Sequence, residues 1–482
     1  MSIICKPLNL LYNEFGIASV YATGRDACFI ILARTCRMFA FGAASLIIAL
    51  FLSTLEFTDF QIGLFMTLTL AGDVVLSLSL SLVADRIGRR RVLLIGALMM
   101  AISGGIFAVA ENYWILLGAA VVGVISATGG DFGPFRAIEE STLSHLTTAE
   151  TRSDVLSWYV TVSSLGSAFG TEFCGRVVDF LRNRPGWEIT RAYHAVFWLY
   201  IVMGVMNVIL ALSMSDNCEI HEKSPHESDA SDPLLDDSYQ QQQQEEEEGA
   251  DSNDTSKQKP EPNAKKSLLS QISSETRSVM YKLWFLLIVD SLADGMVSYA
   301  LTNYYLDRKF HLSKSTLGDI MSISYFLSSC STIFAGPLAR RLGLIKTMVF
   351  THIPSSTAVL LFPIPQSVPL TIVLFFIRTG LNNMDQAPRA AFISAVVKPK
   401  ERTAVMGITS MMRTLASTIG PSVTGLLAGN DRFWVAFVTA GALRIAYDLG
   451  LFAMFVNMKL YTHESNERES DPRRSSVEEE ST

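Results

Sequence analysis

The string "ADRIGRRR", Ala84 to Arg91, has a second and weaker copy in the same chain, "ARRLGLIK", Ala339 to Lys346. Set 255 residues apart, the two match Ala84 with Ala339, Arg86 with Arg341 and Gly88 with Gly343. The same offset lays "FQIGLFMTLTL" on "STLGDIMSISY", matching Gly63 to Gly318 and Met66 to Met321. At 254, "DFGP" (Asp131, Pro134) meets "DQAP" (Asp385, Pro388). At 250, Arg152, Val155, Leu165, Ser167, Gly170 and Gly175 return as Arg402, Val405, Leu415, Ser417, Gly420 and Gly425. Matches in one order with small shifts between them describe a duplicated unit.

The duplicated unit is apolar. Of 482 residues, 49% are hydrophobic and 18% charged, with a mean hydropathy of +0.30, and the apolar residues come in blocks. Segments of about 18 to 25 residues cross a ~30 Å hydrocarbon core as helices rising 1.5 Å per residue. Twelve are predicted, at 27–52, 60–83, 92–110, 113–135, 153–176, 193–214, 281–306, 315–339, 346–366, 369–397, 402–428 and 433–457. No cleavable signal peptide is expected, because the first 26 residues carry charges and lack a compact apolar core. The six cysteines (Cys5, Cys28, Cys36, Cys174, Cys218, Cys330) are scattered without a CxxC or His/Cys cluster, so neither a disulfide framework nor a metal site is expected.

The resulting organisation is a tail at 1–26, a six-helix bundle at 27–214, a linker at 215–280, a second bundle at 281–457 and a tail at 458–482. The linker, with "SDASDPLLDDSYQQQQQEEEEGADSND" inside it, is too polar to bury apolar surface and is expected to be disordered. Lys and Arg gather after spans two ("DRIGRRR"), eight ("RRLGLIK") and ten ("KPKER"), all on one side. The positive-inside rule makes that side, with both termini, cytoplasmic. The "RNRPGWEITR" loop after span five is the exception. Parallel repeats about an axis normal to the membrane place a transport site between the halves.

"SLVADRIGRRR" resembles the loop-two signature of the major facilitator superfamily, and "GPLARRLGLIK" resembles its degenerate second copy. The resemblance covers all twelve spans and is similar to fungal members. Ser81 departs from the family's usual small Gly, which the second copy keeps as Gly336. The resemblance implies an all-α membrane protein of two six-helix bundles related by a pseudo-twofold axis. It also implies a cytoplasmic gate in which Asp85, beside Arg86, Gly88, Arg89 and Arg90, meets the N-terminus of span eleven near Arg402.

Charges at the bilayer centre cost at least ~2.5 kcal/mol on insertion scales, so those that persist face a partner or a wet cavity. Arg34 and Arg37 lie three apart in span one, and Asp290 and Asp294 four apart in span seven, each pair on one helical face. Counting helical rise puts Arg37 and Asp294 roughly 15 to 20 Å deep. With Arg378, which resembles the family's Leu-x-x-x-Arg pattern of span four transposed to span ten, they are the candidates for substrate or proton coupling. A permanent salt bridge between the halves is the competing reading. For Asp73, Arg413 and the Arg444/Asp448 pair a helix-to-helix ion pair is expected. Asp131 is 18 residues from Tyr113, about 27 Å along a straight helix. Asp131, Arg136 and Glu139 are therefore expected at the inner gate, together with Asp385, the repeat counterpart of Asp131, and Arg389; Arg136 and the Glu139/Glu140 pair do not recur in the second half.

No nucleophile-base pair, phosphate loop or metal spacing appears, so no enzyme, no cofactor and no nucleic-acid partner are expected. The expected partners are the lipid bilayer, a small-molecule substrate, protons, and cytosolic proteins at the 215–280 linker. The expected function is proton-coupled efflux of a drug-like compound or secondary metabolite by alternating access. Proton-coupled uptake of a sugar or organic anion, or a non-transporting sensor or scaffold, are the alternatives. The expected location is the plasma membrane; "SDPLLDD" (Ser231 to Asp237) is the kind of acidic di-leucine string that sorts to a vacuole or endosome.

Overall fold

A computed structural model describes residues 17–123, 125, 134–148, 151–219, 273–397, 401–429 and 432–456. Linker residues 220–272, residues 1–16 of the N-terminal tail and the C-terminal tail, with the expectations attached to them, lie outside these. The chain divides into two units, residues 220–271 and the remainder, and the helices belong to the remainder.

The described chain is built of α-helices. A short α1 (Ile17–Thr23) leads into α2 (Arg25–Thr54), α3 (Asp59–Ile87), α4 (Arg89–Phe107), α5 (Tyr113–Val122), α6 (Pro134–Leu146), α7 (Arg152–Arg182) and α8 (Ile189–Ser213). The second half runs α9 (Ser274–Met296), α10 (Tyr299–Phe310), α11 (Lys314–Leu342), α12 (Leu344–Leu361), α13 (Val368–Asn382), α14 (Gln386–Val396), α15 (Arg402–Ala428) and α16 (Phe433–Phe455). From α2 on, these helices fall on the twelve expected segments, with α9/α10 and α13/α14 each making one interrupted span and α5 and α6 being the described parts of the fourth. By length and apolarity alone six helices qualify as crossings, and the bent pair α9/α10, at 43°, makes a seventh. The helices α7, α11 and α15 do not qualify because they carry Ser, Thr and charged residues where they meet the opposite half.

Local chemistry fixes the ends. Thr58 and Gln61 form a reciprocal capping box at the start of α3, and the Asn112 side chain caps α5. Gly88 (φ +103°) and Gly343 (φ +89°) each turn the chain between two helices in the left-handed region that a side chain resists. The two glycines that match across the repeat thus share one strained turn.

The repeat is equally visible where helices cross. A Cβ on Gly63 would collide with the Pro421 carbonyl oxygen and sit 3.0 Å from Gly425 Cα; one on Gly318 would sit 2.8 Å from the Thr171 oxygen and 3.4 Å from Gly175 Cα. Gly63 and Gly318 are repeat partners, as are Gly175 and Gly425, so α3 crosses α15 as α11 crosses α7. The pattern returns inside each half, where Gly42 meets the Ser167 carbonyl and Gly295 the Ser417 carbonyl. Small residues let these backbones approach closely.

Bonds between the halves gather at the end away from the basic loops. Asp179, late in α7, accepts the backbone N–H groups of Lys314 (3.1 Å) and Ser315 (2.7 Å) at the N-terminus of α11, an anion on the positive end of a helix dipole. Arg176 reaches Asp319 at 3.0 Å, and Asp59 accepts from Tyr304 at 2.8 Å and from Arg308 at 2.7 Å. Thr67 and Ser422 share a 2.8 Å hydroxyl bond. This end is latched from both sides.

Candidate functional site

In the first half, Arg37 of α2 donates both terminal nitrogens to Glu139 of α6, at 3.0 and 2.7 Å. The Tyr159 hydroxyl of α7 donates to the same carboxylate at 2.8 Å. Arg34 lies over the Tyr159 ring at 3.8 Å and Arg37 over Phe135 at 4.4 Å. Arg37 and Glu139 are 3% and 1% exposed, so this is a desolvated bidentate pair joining three spans. Glu139, expected at the inner gate, is buried against Arg37 and Tyr159.

Arg37 thus pairs within its own half, and no ion pair of Arg34 or Arg37 with Asp290 or Asp294 occurs among the described residues. The aspartates belong to a buried polar cluster in the second half. Asp290 of α9 sits 3.4 Å from Arg389 of α14, which also reaches Asp385 at 3.2 Å. Arg389 and Asp385, expected at the gate, are both buried. Asp385 closes the Asn383–Asp385 3-10 turn that interrupts span ten. On α16, Arg444 donates to Asp294 at 2.9 Å and to His352 Nε2 of α12 at 2.6 Å, and also bonds Asn382. Asp448 accepts from His352 Nδ1 at 2.8 Å and from the Ser356 hydroxyl at 3.0 Å. Arg444 and Asp448 lie four residues apart, yet each pairs with another helix. Asp294 is the opening of this cluster, its side chain 51% exposed against 1% for Arg444.

Arg378, a coupling candidate from sequence, is buried and donates to Thr302 at 3.0 Å and to the Val297 carbonyl. Val297 stands at the break between α9 and α10, where a carbonyl loses its helical partner. The Thr302 hydroxyl reaches the same carbonyl at 3.1 Å and Thr424 reaches the Met296 carbonyl at 2.7 Å. In this structure Arg378 secures the break. Arg413 of α15 donates Nε to Ser291 at 3.1 Å and has no carboxylate within salt-bridge distance among the described residues.

At the loop-two signature, Glu219 bonds the backbone N–H groups of Arg89 (2.7 Å) and Arg90 (3.2 Å), capping α4. The Arg90 side chain binds the Ala211 and Leu212 carbonyls at the end of α8 and Asp216 at 3.0 Å. Arg136 forms an exposed pair with Glu140 at 2.8 Å. Asp131 and the side chains of Asp85, Arg86 and Arg402 lie outside the described residues. No group of His, Cys, Asp and Glu suited to holding a metal occurs among the described residues.

His352 is absent from the candidates drawn from sequence, although a histidine amid the apolar residues of the ninth predicted span is itself a signal. Tyr159 and Asn382 carry no such mark, because tyrosines and asparagines are common on helices.

The chain resembles a Saccharomyces cerevisiae protein described as uncharacterized membrane protein YJR124C, at 34% identity over 432 residues, covering 88% of this chain and 92% of that one. Solved structures share the fold at low identity. The nucleoside transporter NupG superposes with a TM-score of 0.63 at 13% identity, covering 90% of this chain and all of its own. The inward-open xylose transporter XylE from E. coli gives 0.62 at 12%, with 89% and 96% covered. A bacterial homologue of the iron transporter ferroportin gives 0.63 at 14%, with 89% and 98% covered. The description of one family, the Major Facilitator Superfamily, fits residues 30–272 and 283–479. The chain is a multi-pass membrane protein and a small-molecule transporter, not an enzyme, and it belongs to the Major Facilitator Superfamily.

Proposed function

We propose that this transporter couples the movement of a small organic molecule to protons and works in the direction of export. One observation carries the coupling: Arg444 joins Asp294, half exposed between helices, to the buried acids and imidazole behind it. A solute or proton arriving at Asp294 competes for Arg444 and is felt within the bundle. Export is supported by the Gly420-Pro421 step of α15: exporters of the superfamily usually carry a Gly-Pro in span five, where this chain has Gly170-Thr171, and here the Gly-Pro stands in the second half at the crossing with Gly63 and Gly295. The basic loops support a cytoplasmic placement of their own end of the bundles and of both termini, with the plasma membrane as the working location. The test is solute flux in vesicles with and without a pH gradient, the solute being found by comparing metabolites in cells with and without the protein. Asp294→Asn should abolish the response to the gradient. Flux that ignores both the gradient and this variant would rule out carboxylate coupling.

A second reading, uptake of an organic anion, is supported by Arg413. A cation without a carboxylate partner at membrane depth is stable beside a wet cavity, where it binds a substrate carboxylate or phosphate. Charge-assisted hydrogen bonds are worth about 1.5 to 3 kcal/mol. Arg413→Gln should therefore raise the concentration of anionic solute giving half-maximal flux by about tenfold or more. An unchanged value would remove Arg413 from the binding site.

A further inference from the structure

The aspartates are the obvious proton carriers in the sequence, but the hydrogen-bond directions single out another group. A guanidinium only donates. Arg444 Nη2 lies 2.6 Å from His352 Nε2, so that nitrogen presents its lone pair and the imidazole is neutral, with its hydrogen on Nδ1 facing Asp448 at 2.8 Å. A second acceptor stands ready on the Nε2 side. Asp290 Oδ1 is 3.7 Å from His352 Nε2, buried, and without a hydrogen-bond partner among the described residues. An orphaned buried carboxylate oxygen is costly unless some state of the protein satisfies it.

We propose that His352 is the proton-binding site of the second half, with Arg444 and Asp290 as alternative partners of its Nε2. The inference rests on the proton-coupled reading of the function. A proton entering at Asp294 adds to the Nε2 lone pair. The bond from Arg444 is then lost, Nε2–H turns to Asp290 Oδ1, and Nδ1–H stays on Asp448. Arg444, released from the imidazole, keeps Asp294 and Asn382. Protonation of the buried ring and the hold on the half-exposed Asp294 therefore alter together.

The surroundings permit the exchange. From α9 the ring faces Asp290, with Asp294 reached through Arg444. From α16 it meets Arg444, Asp448 and the Tyr447 ring, edge-on at 5.7 Å. On its own helix Ser356 is 3.3 Å from Nδ1. From span ten, Asn382 accepts from Arg444, and Asp385 pairs with Arg389, which already holds Asp290 Oδ2 and leaves Oδ1 open. Arg413 stands beyond Ser291 on α15.

The experiment uses full-length protein labelled with 15N-histidine in lipid nanodiscs, taken from about pH 8 to about pH 5, the range in which an imidazole changes charge. The resonance lost in His352→Gln identifies the ring. The expected result is a neutral ring with hydrogen on Nδ1 at high pH that gains a proton on Nε2 as pH falls, and in Asp290→Asn gains it only at lower pH. A His352 resonance that stays neutral throughout, or that carries hydrogen on Nε2 at high pH, overturns the proposal. A vesicle assay separates the two claims. If the pH gradient drives flux in His352→Gln as in the wild type, the proton site is wrong and coupling stands. If the wild type ignores the gradient, coupling fails, and the titration alone decides whether His352 binds a proton.

Discussion

Arg37 and Glu139 show how a single pair resists reading from sequence. Both stand out as charges in the sequence, but their meeting depends on how α6 packs against α2, and no local pattern gives the position of Glu139 relative to Arg37. Removing one partner of a buried ion pair leaves the other uncompensated, at a cost of about 3 to 5 kcal/mol. Arg37→Met should therefore lower the thermal transition of the detergent-solubilised protein markedly, and the double change Arg37→Met with Glu139→Leu should recover part of the loss. A double variant no better than the single would mean that the pair is not an isolated unit. The root of the linker offers a simpler check at Cys218, which is 1% exposed. Burial, aided by Asp26 and Glu219, pushes its thiol up to about 12. Alkylation proceeds through the thiolate, so labelling of Cys218 should be slow near neutral pH and accelerate only in strongly alkaline solution. Rapid labelling at neutral pH would show that the Ser215 to Glu219 segment is not packed.

Elements are far more legible than pairs. Hydropathy finds a helix wherever twenty apolar residues follow one another, and the ends of α3, α4 and α12 follow from Gly88, Gly343 and the caps. Interruptions are another matter. The α9/α10 break at Val297 and the 3-10 turn at Asn383–Asp385 lie inside apolar runs, and the carbonyls freed at the α9/α10 break are satisfied by Arg378, Thr302 and Thr424. Such satisfaction is largely tertiary, so a periodicity argument cannot see it. The repeated glycines, by contrast, are plain as a pattern in the sequence, and the helix crossings give that pattern its cause. Because a Cβ on Gly175 would collide with the Lys314 carbonyl oxygen, Gly175→Leu should force α7 and α11 apart, at a cost of about 1 to 3 kcal/mol for overpacking. Gly425→Leu should do the same at the related crossing. Increased reactivity of single cysteines placed at position 307 or 319 would report the separation. Unchanged reactivity in both variants would show that the crossings yield without opening.

At the scale of the whole molecule, two bundles tied at one end can exchange access only if those ties release. Thr67 and Ser422 meet across the halves with their hydroxyls 2.8 Å apart. The pair Thr67→Cys with Ser422→Cys should form a disulfide under mild oxidation and arrest flux of the solute identified in vesicles, and reduction should restore it. Flux that continues with the bond formed would mean that this end stays shut throughout the cycle. The fold class and the duplication are open to sequence because they are written in hundreds of residues. The polar cluster is only partly so, since it draws on several spans of the second half.

Two attachments at the roots of the linker have a mechanical meaning. Glu219 is fastened to the start of α4 in the first bundle, and the Ser273 N–H is held by Glu401 at 3.0 Å just ahead of α15 in the second. The covalent thread between those moorings runs to some fifty residues, and fully extended it spans well over about 150 Å. Rocking movements of a few ångströms cannot draw such a thread taut. By length alone it does not limit the cycle, so cutting it by an inserted protease site should leave the bundles associated and the cycle running.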